Sequence, residues 1–311
     1  MYPELFHIGR FTMNSFGLMM ALAFISAGFI AHWQFKKRGV KPDFIYGLLI
    51  AAVIGGLLGA KIHYLILHPS EWPGNLLSGG GLVWFGGLFG AIIGVVLVTK
   101  LSKQSLARVM DAGALAVSVG YAVGRLGCFL RGDDYGVPTD LPWGLAFPNG
   151  LPPTTVKVHP TQLYESAASL VIFALLAWVI APRFKREGPL IFVYAILAGV
   201  ERFLVEFIRT NKPVLLGLTS QQWIAIGMIV VGAVFTWYFA TRGKLRPAVD
   251  PVTGHAILAP AVVGKAGATK LAAAKAGTAK AGAARPTTKK SAPAKAAAKQ
   301  AAKPGGGKKK R

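Results

Sequence analysis

Apolar stretches of about 20 residues recur along most of this sequence, and a stretch of that length can cross a lipid bilayer as a helix. Hydrophobic residues make up 53% of the chain and charged residues only 15%, whereas a soluble protein usually carries about 25% charged residues. The stretches cover about residues 14–35, 43–67, 82–100, 107–130, 162–181, 188–208 and 221–240. The sequence therefore predicts an all-α polytopic membrane protein with seven transmembrane helices.

Basic residues alternate between the loops that join these stretches. They follow the first, third and fifth stretches, as Lys36, Lys37, Arg38 and Lys41, then Lys100, Lys103 and Arg108, then Arg183, Lys185 and Arg186. No basic residue follows the second stretch. Because cytoplasmic loops carry an excess of Lys and Arg, the N-terminus is predicted to lie outside and the C-terminus inside. The proline-rich loop 131–161 is then predicted to form a small extracytoplasmic cap.

Most of the net charge of +23 lies at the C-terminal end. Residues 241–311 hold seventeen Lys and Arg against a single acid, Asp250, in an Ala-, Lys- and Gly-rich composition that is typical of disorder. The predicted domains are a seven-helix membrane domain over 1–240 and a disordered basic cytoplasmic tail over 241–311. Such a tail is suited to contact anionic lipid or nucleic acid; the alternative is a solubilising appendage with no specific partner. Cys128 is the only cysteine, which excludes an intrachain disulfide.

Arg125 lies inside the fourth apolar stretch, in the string G-R-L-G-C-F-L-R-G-D-D-Y-G at 124–136. An ionisable residue at membrane depth is costly and usually faces a bundle interior or a water-filled cavity. The planar donor fork of a guanidinium suits phosphate. The sequence therefore predicts a phosphate-bearing ligand at Arg125, which is expected to be otherwise unpaired.

A second charged segment, V-E-R-F-L-V-E-F-I-R, lies in the sixth stretch. Arg202 and Glu206 are four residues apart, so they share a helix face and can pair. Arg209 follows on a similar face, on the predicted outer side, where we expect it to contact a ligand. One interpretation is a buried structural ion pair. The other is that Arg202 and Arg125 converge on a phosphate and stabilise the charge of a leaving group.

The string H-P-T-Q-L-Y-E at 159–165 begins the fifth stretch. Pro160 suits a helix start, and Tyr164 suits a membrane interface, so a structural role is one interpretation. The other is that His159, Gln162 and Tyr164 contact a ligand near the outer interface. The sequence contains neither the H-E-x-x-H spacing of a zinc site nor a phosphate-binding loop that ends in G-K-[ST], and no cofactor or metal is predicted.

These motifs, taken in order, resemble those of the prolipoprotein diacylglyceryl transferase family. The similar strings are S-F-G-L-M-M at 15–20, F-G-G-L-F-G at 85–90, G-R-L-G-C-F at 124–129, H-P-T-Q-L-Y-E at 159–165, R-F-L-V-E-F-I-R at 202–209 and T-S-Q-Q at 219–222. The resemblance covers about residues 1–240. It implies a seven-helix enzyme of the bacterial inner membrane whose active site faces the periplasm.

The resemblance implies that the diacylglyceryl group of phosphatidylglycerol is moved to the lipobox cysteine thiol of a prolipoprotein signal peptide, with release of glycerol phosphate. It makes Arg125 the arginine that holds the lipid phosphate, Arg202 a second essential arginine, and Glu206 its neighbouring acid. The further substrate-binding residues expected are Asp133, Gly136, His159, Gln162, Tyr164 and Arg209. We expect a monomer in the membrane.

Several positions depart from the family pattern. Phe16 and Ala198 stand at positions where the family has Tyr. Phe85 stands where the family often has His, Cys128 where it commonly has Asn, and Asp133 where it usually has Glu. Because that His is missing, thiol activation is expected from the field of two arginines or from a carboxylate such as Glu206, with His159 as a further candidate. Two alternatives stay open: a catalytically altered paralogue, and a lipid-binding or transport protein that uses the same anion cavity.

Overall fold

The computed structural model describes residues 4–8, 11–41, 43–71, 83–246, 248–249 and 256–257. Within these residues, seven long helices make up most of the chain. They are α1 (Ser15–Arg38), α2 (Phe44–Leu67), α3 (Trp84–Leu101), α4 (Leu106–Arg131), α5 (Thr161–Ala174), α6 (Pro189–Val205) and α7 (Ser220–Arg242). Each predicted stretch coincides with one helix, so the predicted helical architecture is confirmed.

Short elements complete the described chain. Helix α5 continues as a π-helical turn and then a 3₁₀ turn, and α6 continues as a 3₁₀ turn: Leu175–Ile180, Ala181–Arg183 and Glu206–Ile208. The described strands form three antiparallel pairs. They are β1 (Glu4–Ile8) with β2 (Phe11–Asn14), β3 (Leu145–Phe147) with β4 (Thr154–Val158), and β5 (Ala248–Val249) with β6 (Ala256–Ile257).

Five helical segments of the described chain are long and apolar enough to cross a membrane. They are Ser15–Arg38, Phe44–Leu67, Leu106–Arg131, Thr161–Arg183 and Ser220–Arg242. The apolar part of α3 is shorter, and α6 has 17 residues. Large apolar side chains such as Phe29 and Trp178 stay exposed, which suits contact with lipid. The chain is an integral membrane protein, and the crossing of the bilayer by α3 and α6 stays a prediction.

Helices α2 and α3 approach each other closely enough for backbone contact. A Cβ added at Gly59 would overlap the carbonyl oxygen of Gly86, and one added at Gly90 would overlap that of Gly55. Small residues spaced four apart allow this approach between membrane helices. Elsewhere α4 packs against α1 and α5, and α6 packs against α7.

Asp111 ties the start of α6 to α4. Its fully buried carboxylate accepts the backbone N–H groups of Gly188 and Leu190, each at 2.9 Å. These are amides of the α6 N-terminus, which lack helical partners and carry partial positive charge. Asp111 thereby fixes the position of the helix that carries Arg202.

The loop predicted as a cap is tied to the far end of α6. Gly132 has a φ of 76° and ends α4 in the left-handed conformation, which glycine adopts without strain. The amide of Gly136 then donates to the His159 carbonyl at 2.9 Å, and that of Val137 donates to the Ile208 carbonyl at 2.8 Å. The loop contains the β3–β4 hairpin, so it is more regular than its proline content suggested.

Ordered contacts continue a few residues past the predicted domain boundary at residue 240. The amide of Glu187 donates to the Lys244 carbonyl at 2.8 Å, and that of Arg246 donates to the Lys185 carbonyl at 2.9 Å. The root of the tail is thus paired with the loop before α6. Beyond Arg246, only 248–249 and 256–257 are described, so the predicted disorder of the tail lies outside the described residues.

Candidate active site

Three arginines from separate parts of the chain meet at one end of the bundle. Arg125 comes from α4, Arg202 from α6, and Arg209 from the residue after the 3₁₀ turn that follows α6. We call Arg125, Arg202 and Arg209 the arginine cluster. Its geometry confirms that Arg202 and Arg209 face the same region, as their spacing predicted.

Glu165 lies at the centre of the arginine cluster. Its side chain is fully buried; one oxygen contacts Arg125 Nε, and the other lies 3.2 Å from Arg202 Nη1 and 3.4 Å from Arg209 Nη1. A buried carboxylate of this kind is stable only when it is paired and hydrogen-bonded. Glu165 thus holds guanidinium groups from three segments together.

Two more carboxylates complete the charge pattern. Asp134 Oδ2 lies 2.8 Å from Arg125 Nη1, and its Oδ1 lies 2.5 Å from Arg209 Nη2. Glu206 Oε2 lies 2.8 Å from Arg202 Nη2, which confirms the predicted pairing of these two residues. The expectation that Arg125 is otherwise unpaired is wrong, because Glu165 and Asp134 both contact it.

Neighbouring side chains fix the orientation of the charged groups. Arg125 Nε donates to the Tyr121 hydroxyl at 2.9 Å, and that hydroxyl donates to Glu165 at 3.2 Å. Glu206 Oε1 accepts from the Thr219 hydroxyl and the Asn211 amide, each at 2.8 Å. Thr219 also caps α7, since its side chain accepts the Gln222 amide. The last helix is therefore joined to the arginine cluster through Glu206.

Exposure is uneven across this site. The side chains of Arg125, Arg202 and Arg209 are 15%, 20% and 8% exposed, and Glu165 is at 0%, whereas Asp134 is 42% exposed. Asp134 therefore covers the open side of an otherwise buried group of cations. Burial alone would raise the pKa of Asp134, but Arg209 and Arg125 outweigh it and hold this pKa below its usual value.

Two other predicted site residues, Gln162 and Asp133, form no ion pair with the arginine cluster in the described chain. Gln162 is buried and donates to the Asp133 carbonyl, while the Asp133 carboxylate lies 3.5 Å from Arg131 Nε. Burial raises the pKa of Asp133, and the charge of Asp134 raises it further. The sequence favoured Asp133 as the acid of the motif, but it is Asp134 that reaches the arginines.

His159 and Tyr164 form a separate polar group beside the cap. His159 Nδ1 lies 3.4 Å from the Tyr164 hydroxyl, which accepts from Trp143 Nε1 at 2.8 Å. Gly136 packs under this group, because a Cβ there would lie 2.9 Å from His159 Cβ and would overlap the Ile208 carbonyl oxygen. The lack of a side chain at Gly136 therefore lets the cap backbone approach Arg209, with which Gly136 forms an antiparallel β-bridge.

One group of potential metal ligands lies at the edge of the site. Cys128 Sγ and carboxylate oxygens of Asp133 and Asp134 lie within 4.8 Å of one another. Asp134 already pairs with two arginines, and Cys128 Sγ lies 3.8 Å from Arg125 Nη1. These guanidinium contacts disfavour a cation at this group of ligands.

Comparison with known proteins assigns the chain to a family. The profile of the family described as prolipoprotein diacylglyceryl transferase matches residues 3–238. The chain belongs to this family. The membership makes it a transferase and confirms the resemblance found in the motifs.

Individual members of the family are similar over most of their length. A phosphatidylglycerol–prolipoprotein diacylglyceryl transferase of Clostridium tetani is 32% identical over 238 residues, which cover 75% of this chain and 95% of the relative. The protein of the same description from Geobacter sulfurreducens is 34% identical over 258 residues, which cover 79% and 97%. The similarity thus spans the helical domain and the arginine cluster.

Sequence reasoning missed three residues of this candidate site: Tyr121, Asp134 and Glu165. Glu165 carried a usable signal, because it is an acid inside an apolar stretch. Tyr121 lies four residues before Arg125 and therefore shares its helix face. Nothing in the sequence separated Asp134 from Asp133, since the turn after Gly132 decides which of them points to the arginines.

Proposed function

We propose that this protein transfers the diacylglyceryl group of phosphatidylglycerol to the lipobox cysteine thiol of prolipoproteins. The convergence of Arg125, Arg202 and Arg209 beside the partly exposed Asp134 carries the proposal, and the descriptions of the relatives support it. In the reaction the thiol sulfur attacks the diacylglyceryl carbon, an S–C bond forms, and the C–O bond to phosphate breaks. Glycerol phosphate leaves, and the thiol proton passes to a base.

Phosphate binding in this proposal replaces the carboxylate of Asp134. Asp134 and a lipid phosphodiester each carry one negative charge, so the exchange keeps the charge balance of the arginine cluster. Arg125 and Arg209, which Asp134 now bridges, would then hold the phosphate. Their donors stabilise the second charge that develops as glycerol phosphate leaves.

The proton acceptor is a carboxylate that is not already committed to several partners. Glu206, the acid expected from the sequence, pairs with Arg202 and accepts from Thr219 and Asn211, so we assign it the positioning of Arg202. Glu201 interacts electrostatically with the arginine cluster, and its buried Oε1 has no hydrogen-bond partner among the described residues. We assign proton acceptance to Glu201. A free thiol has a pKa of about 8.5, so a base raises the share of thiolate at neutral pH.

The topology belongs to the same proposal. All seven helices cross the bacterial inner membrane, the N-terminus lies outside, and the basic tail lies in the cytoplasm. The arginine cluster then faces the periplasm, where prolipoprotein signal peptides present their lipobox. The protein acts as a monomer, and no cofactor takes part.

The test is transfer from labelled phosphatidylglycerol to a synthetic lipobox peptide by the purified full chain in lipid vesicles. Arg125→Ala should give no lipidated peptide. Arg131→Ala is the matched control, because Arg131 lies on the same helix, is 42% exposed and pairs only with Asp133 in the described chain. It should keep most of the activity.

Two outcomes would overturn the proposal. Lipid movement across the vesicle without any lipidated peptide would favour a transport protein. Absence of product from well-folded wild type with several phospholipids would favour a catalytically altered paralogue, and the replacements Phe16, Phe85 and Ala198 would then become the main explanation.

A further inference from the structure

A second charged cavity lies at the other end of the bundle. It has a volume of about 250 Å³ and lies where α1 ends and α4 begins. Its charged lining consists of Lys37, Arg38, Arg108, Asp111, Glu187 and Arg246. We call it the inner cavity. Asp111 and Arg125 are fourteen residues apart on α4, or about 21 Å, so the inner cavity is distinct from the arginine cluster.

Both acids of the inner cavity already have partners. Glu187 Oε1 lies 2.7 Å from Arg108 Nη2, and Glu187 Oε2 accepts from the Ser105 hydroxyl at 2.6 Å. Asp111 accepts two backbone amides of α6 and lies 3.2 Å from Arg246 Nη2. The two acids of the cavity therefore compensate the charges of Arg108 and Arg246.

Two positive charges of the cavity form no ion pair in the described chain, those of Lys37 and Arg38, although Arg38 lies near the already paired Asp111. Arg38 is only 8% exposed; its guanidinium contacts the Gln34 side-chain oxygen, and its Nε has no hydrogen-bond partner among the described residues. The Nε of Arg246, on the same cavity wall, is also buried and without a partner. Burial of a guanidinium that forms no ion pair is unfavourable, so an anion bound in this cavity would stabilise it.

The setting of the cavity indicates which anion. Trp33 and Trp178 stand at its lining and are 37% and 69% exposed, and Lys37 Nζ lies 3.7 Å above the Trp33 ring. Tryptophan at the end of apolar helices marks the level of lipid headgroups. The donor forks of two arginines suit phosphate. A lipid phosphate at this level would lie beside Lys37 and within reach of Arg38.

We propose that the inner cavity binds a phosphate group, carried by an anionic phospholipid of the leaflet next to the ends of α1 and α7. Arg38 contacts the phosphate from within the protein, and Lys37 contacts it from the rim. Arg246, which begins the basic tail, provides the second buried donor. The site is independent of the proposed transfer reaction, because none of its residues belongs to the arginine cluster.

The experiment compares phosphatidic acid with diacylglycerol of the same acyl chains, since the two lipids differ only in the phosphate. Native mass spectrometry of the full chain in detergent counts the lipids bound. Wild type should retain one more phosphatidic acid than Arg38→Gln. Lys36→Gln is the matched control, because Lys36 is exposed two residues earlier on α1 and does not line the cavity. It should match wild type.

A second variant and a second source of phosphate complete the test. If Arg38→Gln does not fold, Lys37→Gln replaces it, with the same loss expected, because Lys37 is exposed and its removal leaves the core intact. Inorganic phosphate is the other arm: a Tm that rises with phosphate in wild type but not in the variant, without lipid retention, would support the phosphate site and overturn its lipid source. Equal lipid counts and equal Tm values in the Arg38→Gln, Lys37→Gln and Lys36→Gln variants would overturn the proposal entirely.

Discussion

Arginines with buried donors lie near both ends of α4, but the charges are balanced in different ways at the two ends. At the arginine cluster, the three cations form ion pairs with three carboxylates in the described chain: Asp134, Glu165 and Glu206. At the inner cavity, Arg108 and Arg246 pair with the two acids among the described residues, so the charges of Lys37 and Arg38 are in excess. The balanced end can stay folded when empty and exchange one anion for another. The unbalanced end is more stable with an anion bound.

The largest effect should come from removing the central acid of the balanced end. Glu165→Gln leaves three arginines close together without their common partner, so transfer should fall below about 1% of wild type, and the free energy of unfolding should fall by about 3–5 kcal/mol. Transfer assays and thermal unfolding in detergent measure both. Asp140→Asn, at an exposed acid of the cap, is the control. Wild-type activity in the Glu165→Gln variant would show that the cluster does not depend on charge balance.

A smaller effect is expected when a donor fork is replaced by a single ammonium. Arg202→Lys keeps the charge beside Glu165 and Glu206 but loses bidentate geometry, so kcat should fall about 10²–10³-fold. The kcat of Arg131→Lys, which changes a side chain that is 42% exposed, should stay close to that of wild type. A rise of KM alone, with kcat unchanged, would contradict a role in stabilising the leaving group.

Glu187→Gln sharpens the comparison from the other end. It removes one negative charge from a cavity that already has excess positive charge, so phosphatidic acid should bind more tightly, by about fivefold for about 1 kcal/mol of screened Coulomb energy. Lipid titration by native mass spectrometry gives the affinity, and Asp140→Asn again serves as control. Weaker binding would show that Glu187 acts there mainly by holding Arg108 in place.

The smallest effects should have opposite signs at Asp133 and Asp134. The pKa of Asp134 is lowered, so its charge stabilises the fold above about pH 4, and this contribution is lost as the pH falls through the folded pKa. Asp134→Asn should therefore lower Tm at neutral pH, by the equivalent of about 1 kcal/mol or less, because the group is partly exposed. The difference from wild type should vanish in acid.

Asp133 gives the matched opposite case. Its pKa is raised by burial, so ionisation opposes folding, and Asp133→Asn should raise Tm at neutral pH by a similar small amount. This gain should disappear as the pH falls below about 4, where the unfolded carboxyl is protonated as well. Thermal unfolding of both variants between acid and neutral pH measures the two profiles. Shifts of the same sign would contradict the assigned environments.

Much of the fold could be read directly from the sequence. The seven apolar stretches predicted the seven helices, because the length and composition of each stretch are local properties. The pairing of Arg202 with Glu206 was likewise a matter of helical spacing. Motif order predicted the family, which the match over 3–238 confirms. The predicted orientation, the seven crossings and the monomeric state stay predictions.

The charge balance of the site was not readable in this way. Arg125 lies forty residues before Glu165 and more than seventy before Arg202, and only helix packing brings the three together. The choice of Asp134 over Asp133 depends on the left-handed turn at Gly132 and on the pairing of the cap with Ile208. The sequence showed which charges lie at membrane depth, whereas the partner of each charge was decided by tertiary structure.

The inner cavity shows the same division. The sequence alone determined that Lys37 and Arg38 lie at the end of an apolar helix, and it explained their charge as a topology signal. Only the packed structure shows that Arg38 is buried beside Asp111 and Arg246, with both acids already paired. Hydrophobicity and helical spacing act within one segment, so they can be read along the chain. Burial and charge pairing join distant segments, so they exist only once the helices have packed.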